Sequence, residues 1–221
     1  MLLNSGMASS SPSTVWPVVH HERRALLQDL EPLPTAQWQT PSLCAGWDVH
    51  DVLAHVIDSA KTTRLNFIRR LIASRMDFDR DNAEGVEREN TGEPSQTLNG
   101  LRAVLSRTSG PPASLATRLV EAFVHGEDIR RPLGIRREYP AEHVATALSY
   151  QVKTTTKMGG GKEIAGGWRL VATDTPFDHG NGPTVEGPAI ALLLAVSGRP
   201  IRHDEVSGPG APVFLQSLEN Q

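Results

Sequence analysis

Over the first two thirds of the chain, apolar residues recur every three to four positions, a period that suits helices packed on one face. The spacing predicts a helix from Val15 to Leu30, ending before the turn signal EPLPT. After a loop formed by Trp38 and TPSLCAGW it predicts a long helix from Asp48 to about Ser74. Asp48 is its N-cap, and Val49, Val52, Leu53, Val56 and Ile57 are its apolar stripe. Residues 77–93 are polar and charged. Apolar spacing returns at Leu98 to Leu105 and gives a third helix, which Pro111 and Pro112 break. A fourth covers about Ala113 to Arg130 and turns Leu115, Leu119, Val120, Phe123 and Val124 inward. Arg130 and Arg131 suit its negative C-terminal end, and Pro132 and Gly134 stop it. Helices with one apolar face each hide those faces against one another, as a bundle does.

Composition shifts after Gly134. Residues Ala141 to Thr156 read as one more helix after Pro140, and GGGKEIAGG as a flexible linker or hairpin. Trp168 to Thr173 is a strand, Thr184 to Glu186 a short second one, and Pro188 opens a helix over Ala189 to Ser197. The tail SGPGAPVFLQSLENQ carries turn chemistry and then a short apolar segment. The expected organisation is a disordered Ser-rich tail over residues 1–13, a helix bundle over 14–134 and a small mixed α/β domain over 135–221. The fold class is mostly α, of the α+β type.

Charge excludes several functions. The 221 residues carry a formal net charge of −3 with both signs scattered. There is no basic stripe for nucleic acid and no polybasic patch for an anionic membrane. The single cysteine, Cys44, permits no internal disulfide and fits a reducing compartment. The longest apolar run, Ala189 to Val196, is too short to span a bilayer. The N-terminal stretch lacks the charged and apolar regions of a signal peptide. The expectation is a cytoplasmic protein, monomer or homodimer, with neither a nucleic-acid nor a membrane partner.

The candidate chemistry lies on two of the helices. Glu121 and His125, four residues apart, lie one turn above each other and point the same way. His55 adds a second imidazole from the helix that begins at Asp48. Two imidazoles and a carboxylate make a three-ligand transition-metal site, and the open fourth position is the mark of catalytic rather than structural zinc. Asp128, three residues after His125, is placed to accept that imidazole's second N–H and fix its tautomer. Each residue also has an ordinary reading. Glu121 and His125 at this spacing can be a surface pair worth roughly 0.2–0.5 kcal/mol. His55 can be a satisfied core histidine, and Asp128 a solvated residue or a partner of Arg131. Asp51 either orients His55 or balances the helix N-terminus. Cys44 is a fourth ligand, a redox thiol or a small buried loop residue. His50 points to another face, Trp47 is core packing, and Asp178 and His179 serve a glycine-rich turn.

These residues carry a resemblance. The string LCAGWDVHDVLAHV, followed far downstream by RLVEAFVHGEDIRRPLG, resembles the metal-binding domain of the mycothiol-dependent maleylpyruvate isomerases, within the DinB-like four-helix bundle superfamily. The segment TDTPFDHGNGPTVEGPAIALLLAVSGRP is similar to the small C-terminal α/β domain of the same family. The resemblance runs from about Val15 to Gly210. It implies a DinB-like four-helix bundle followed by that small domain, and a metal held by His55, Glu121 and His125. Zinc is the expected ion, although this donor set also suits nickel, cobalt or ferrous iron. The resemblance further implies mycothiol as thiol cosubstrate and a catalytic arginine, matched by Arg199 in SGRP with Arg202 as rival. The expected activity is thiol transfer or cis–trans isomerisation on a small, carboxylate-bearing electrophile. A metal-dependent hydrolase on the same scaffold and a non-catalytic small-molecule or partner-binding protein are the alternatives.

Overall fold

Six helices build the first unit, Trp16–Arg137, in the computed structural model, which describes residues 11–220. They are α1 (Pro12–Leu30), α2 (Val49–Lys61), α3 (Arg64–Ala73), α4 (Phe78–Glu89), α5 (Pro94–Val104) and α6 (Ala116–Arg130). Residues 1–10, most of the expected N-terminal tail, lie outside the described residues. Leu26 and Leu30 of α1, Leu53 and Ile57 of α2, Leu101 of α5 and Ile129 of α6 meet in one apolar core. Each such burial favours the fold by roughly 1.5–3 kcal/mol. Asp48 caps α2 as expected. Its carboxylate accepts from the Asp51 amide, and the Asp51 carboxylate accepts in return from the Asp48 amide. In α6, Leu119, Phe123 and Val124 are buried as the spacing predicts, while Leu115 and Val120 are only half-buried.

Three expectations for this unit need correction. The long helix from Asp48 to Ser74 is two helices. Thr62 takes an extended backbone (φ −64°, ψ 126°) and its hydroxyl donates to the Asp58 carbonyl 2.9 Å away. Thr63 then caps α3, its hydroxyl accepting from the Asn66 amide. Two successive hydroxyls offer the backbone an alternative to the helix ladder. Second, the polar stretch 77–93 contains a helix, α4, which buries Val86 and is tied to its neighbours by a run of charge pairs. Asp58 of α2 pairs with Arg70 of α3 at 2.8 Å, Arg70 with Asp81 of α4 at 2.8 Å, and Arg88 of α4 with Asp58 at 3.2 Å. No residue of α3 is buried, and Leu65, Ile68 and Ile72 stand exposed along it. Third, Arg130, read from sequence as answering the negative C-terminal end of α6, is held by an aspartate of another helix. It is fully buried, and its Nε donates to Asp29 at 2.7 Å.

The second unit, Glu138–Gln221 with the first residues of α1, contains a small sheet and four helices. The helices are α7 (Ala141–Gln151), α8 (Lys162–Ala165), α9 (Ala189–Val196) and α10 (Ala211–Glu219). The strands are β1 (Arg169–Ala172), β2 (Asp178–His179) and β3 (Thr184–Gly187), in the order β2-β1-β3. β1 runs parallel to β3, with Leu170 opposite Val185, and antiparallel to β2, with Leu170 opposite His179. Leu170, Val185 and nearly every residue of α9 are buried, which explains why α9 is apolar all round. The two strands expected from sequence are present, and β2 adds a third. The GGGKEIAGG stretch is neither a linker nor a hairpin. It forms the short helix α8, and a Cβ at Gly161 would overlap the Val196 carbonyl, so close packing demands glycine there. The apolar tail segment is the helix α10. Among the described residues, no helix is long and apolar enough to cross a membrane.

Candidate functional site

Helices α2 and α6 bring the predicted residues to one place in the bundle. His55 is on the face of α2 that follows its apolar stripe, and His125 is on α6. Their rings lie edge to face with centroids 4.9 Å apart. The indole of Trp47, just before α2, lies against His55 at 5.1 Å. His55 Nδ1 is fully enclosed and has no hydrogen-bond partner. A buried imidazole nitrogen without a partner is costly unless something else binds it. Burial, and then the neighbouring imidazole of His125, push the His55 pKa down from 6.5 to about 4, against the pull of Glu121 and Asp58. His55 is therefore neutral at physiological pH, the form that binds metals.

His125 is fixed from the other side. Its Nδ1 donates to Asp128 Oδ2 at 2.9 Å, and the Asp128 side chain is completely buried. An ionised carboxylate only accepts, so Nδ1 carries a proton and Nε2 is the ring nitrogen left for another partner. Glu121 is the third member, with its side chain about 10 % exposed. Its Oε2 accepts a short hydrogen bond from Ser59 Oγ and pairs with Arg118 Nη1 at 2.8 Å. Arg118 also donates to Ser59 Oγ at 2.9 Å. Burial alone would raise the Glu121 pKa, but Arg118, Ser59 and His55 together hold it below the usual carboxylate range. The array is an ionised carboxylate beside two imidazoles, of which His55 is held neutral by its burial.

The donor chemistry fits a divalent transition metal, and the enclosed, unpartnered His55 nitrogen is the observation that favours one. The side chains do not yet converge as a ligand set. Among the described residues, no group of three His, Cys, Asp or Glu side chains is clustered closely enough to hold an ion. Arg118 supplies the reason, since it answers the Glu121 charge that an ion would otherwise answer.

The other sequence candidates sort cleanly. His50 points elsewhere, into the core, where its Nε2 meets Thr97 Oγ1 at 2.7 Å and its ring lies edge-on to Trp38. Asp51 belongs to the helix cap, and its other contact is the Asn90 side-chain amide at 2.9 Å, so it does not orient His55. Cys44 packs against the apolar core. In the second unit, Arg199 is half-buried and its Nη1 donates to the Ser197 carbonyl at 2.8 Å, while Arg202 is exposed and pairs with Asp204 at 2.9 Å. Arg118 and Ser59 escaped the sequence reading. Both were within reach of it, because Arg118 lies three residues before Glu121 and Ser59 four after His55.

Fold and site together define a mostly helical α+β protein whose bundle carries two histidines and a carboxylate in one buried array. Residues 19–110 match the family model of the mycothiol maleylpyruvate isomerase N-terminal domain. The matched segment includes His55 and ends before Glu121 and His125. Two solved structures are similar to the chain: the mycothiol-dependent maleylpyruvate isomerase and a histidine-to-alanine mutant of it. Each aligns with a TM-score of 0.63 and 17 % identity over 90 % of this chain and 93 % of that one. The similarity establishes a shared fold. No curated protein matches the chain.

Proposed function

We propose that the protein is a metal-dependent enzyme that uses mycothiol or a related small thiol, as isomerase or thiol transferase, on a small carboxylate-bearing electrophile. The observation that carries this reading is the His55 imidazole, held neutral and enclosed beside His125 with its Nδ1 unanswered. His55, Glu121 and His125 are the ligands, and zinc is the expected ion. When bound, such an ion supplies the Lewis acidity that stabilises a thiolate near neutral pH.

The chain's own residues do the rest. Burial keeps His55 unprotonated. Asp128 holds the His125 proton on Nδ1 and so directs Nε2 toward the ligand position. Ser59 and Arg118 hold the Glu121 carboxylate ionised, and Glu121 exchanges Arg118 for the ion on loading. In the second unit, Arg199 is preferred to Arg202 as the arginine that contributes to turnover, since Arg202 is exposed and tied to a neighbouring aspartate.

Elemental analysis of the purified protein, beside His55→Ala and His125→Ala variants, tests the reading. The wild type is expected to hold about one divalent ion per chain, as a three-ligand open site requires, and both variants to lose it. Turnover of a maleyl-type electrophile is expected to need added thiol and to disappear with the ion. Turnover that proceeds without thiol would shift the assignment to a hydrolase. A wild type that takes up no metal when supplied with it would end the metalloenzyme reading.

A further inference from the structure

The second unit contains a groove of about 600 Å³ that belongs to none of the chemistry above. Its walls come from the end of α7, the α8 helix with the turn that follows it, and the loop after β2. Val152, Ala165 and Trp168 supply apolar surface. Lys153, Lys162 and His179 supply cationic or protonatable groups, and no carboxylate lines it. An enclosing surface with two ammonium groups and no acid is an unbalanced one.

The acids that could have balanced it are committed elsewhere. Asp178, next to His179 on β2, makes a two-point pair with Arg169 at 3.0 and 2.5 Å. Glu163, next to Lys162, accepts from the Thr156 amide at 2.7 Å. Neither Lys153 nor Lys162 makes an ion pair with a described residue. The loop is built to stay close: a Cβ at Gly182 would overlap the Gly167 carbonyl, so glycine lets residues 180–182 lie against the turn at 166–168. Trp168 is held in place by an edge-on contact with Phe214 at 5.5 Å. A second cavity of about 520 Å³ shares Val152, Lys153 and His179 and continues past Phe177, where Asp178, paired with Arg169, is its one carboxylate.

We propose that this groove binds a small ligand carrying a phosphate or carboxylate on an apolar body. The two lysines take the anion and the Trp168 side of the groove takes the body. Charge-assisted contacts to an anion are the stronger part of such recognition, and the apolar wall sets which anions stay.

The test titrates the full-length protein with phenyl phosphate and with benzoate, following the fluorescence of Trp168 as the part of the signal that a Trp168→Phe variant loses. A saturable change with either probe is expected, weakened by added salt, and the better probe identifies the anionic group. A Lys153→Gln/Lys162→Gln variant is expected to bind at least tenfold more weakly. Both lysines are exposed, so this variant should keep its fold, as its circular dichroism will show. No saturable response to either probe, an undiminished response in the double variant, or equal binding of neutral phenol would overturn the proposal.

Discussion

The two ends of α6 treat buried charge in opposite ways. At the C-terminal end, Arg130 is fully enclosed and its charge meets Asp29 at 2.7 Å and Glu22 at 3.8 Å, with Arg137 closing on Glu22 at 2.9 Å. At the N-terminal end, Glu121 is answered by Arg118 and Ser59, but the imidazole facing them, His55, is left with an enclosed nitrogen that nothing in the chain satisfies. The first arrangement meets a buried charge with carboxylates of the polypeptide itself and serves the fold. The second leaves an enclosed imidazole nitrogen unanswered beside a second imidazole and a carboxylate, and an open donor in such company is what a ligand site looks like before its ligand arrives.

Four measurements would break or sharpen this contrast. The largest effect is expected from Arg130→Ala, which takes the partner from Asp29 and empties a fully buried side-chain site: a loss of about 3–5 kcal/mol in denaturant unfolding. Next is acid. The folded-state pKa of His55 lies below its unfolded value, so the folded protein binds fewer protons than the unfolded chain between the two. The stability of the metal-free protein is therefore fully present above pH 6.5 and falls by about 3 kcal/mol as pH drops through 4. A His55→Leu variant should remove most of that slope, and an unchanged slope would mean that His55 is not the group responsible. Asp128→Asn comes third. It should leave the imidazole in place but release its tautomer, weakening metal affinity by roughly 10–100-fold in a chelator competition. The smallest effect is Ser59→Ala, expected to cost about 1 kcal/mol of stability through the lost hydroxyl bond to Glu121.

The fold was legible in the sequence wherever apolar burial does the packing. The stripe of α2, the inward face of α6 and the all-apolar α9 are visible as periods and runs, and the structure buries them. It was illegible where other forces act. α4 buries Val86 and is otherwise tied down by Asp81 and Arg88, too thin an apolar signal for hydrophobic spacing to reveal it. The break at Thr62 and Thr63 depends on side-chain hydroxyls competing for backbone groups, which leaves the apolar period untouched. β2 is two residues long and exists because β1 offers it an edge. For the site, the helical spacing of Glu121, His125 and Asp128 was readable at once, and the His125–Asp128 bond confirms that one detail. That α2 and α6 are neighbours came from the family resemblance, since no single-helix pattern reveals which helices face each other. Arg118 and Ser59 obey the same i, i+3 and i, i+4 rule, yet an arginine and a serine do not announce themselves beside a candidate metal site.

Trp47 gives the bundle an optical read-out of its own chemistry. An indole in contact with an imidazole loses fluorescence when that imidazole becomes cationic, and it responds again when a heavy or paramagnetic ion settles nearby. Trp47 touches His55 itself, 5.1 Å between ring centroids. Trp16 and Trp38 also lie against histidines, His20 and His50, so the emission of this chain reports on imidazole protonation at several places at once. Subtracting a Trp47→Phe spectrum isolates the one signal that looks directly at the candidate site, with no label and no substrate.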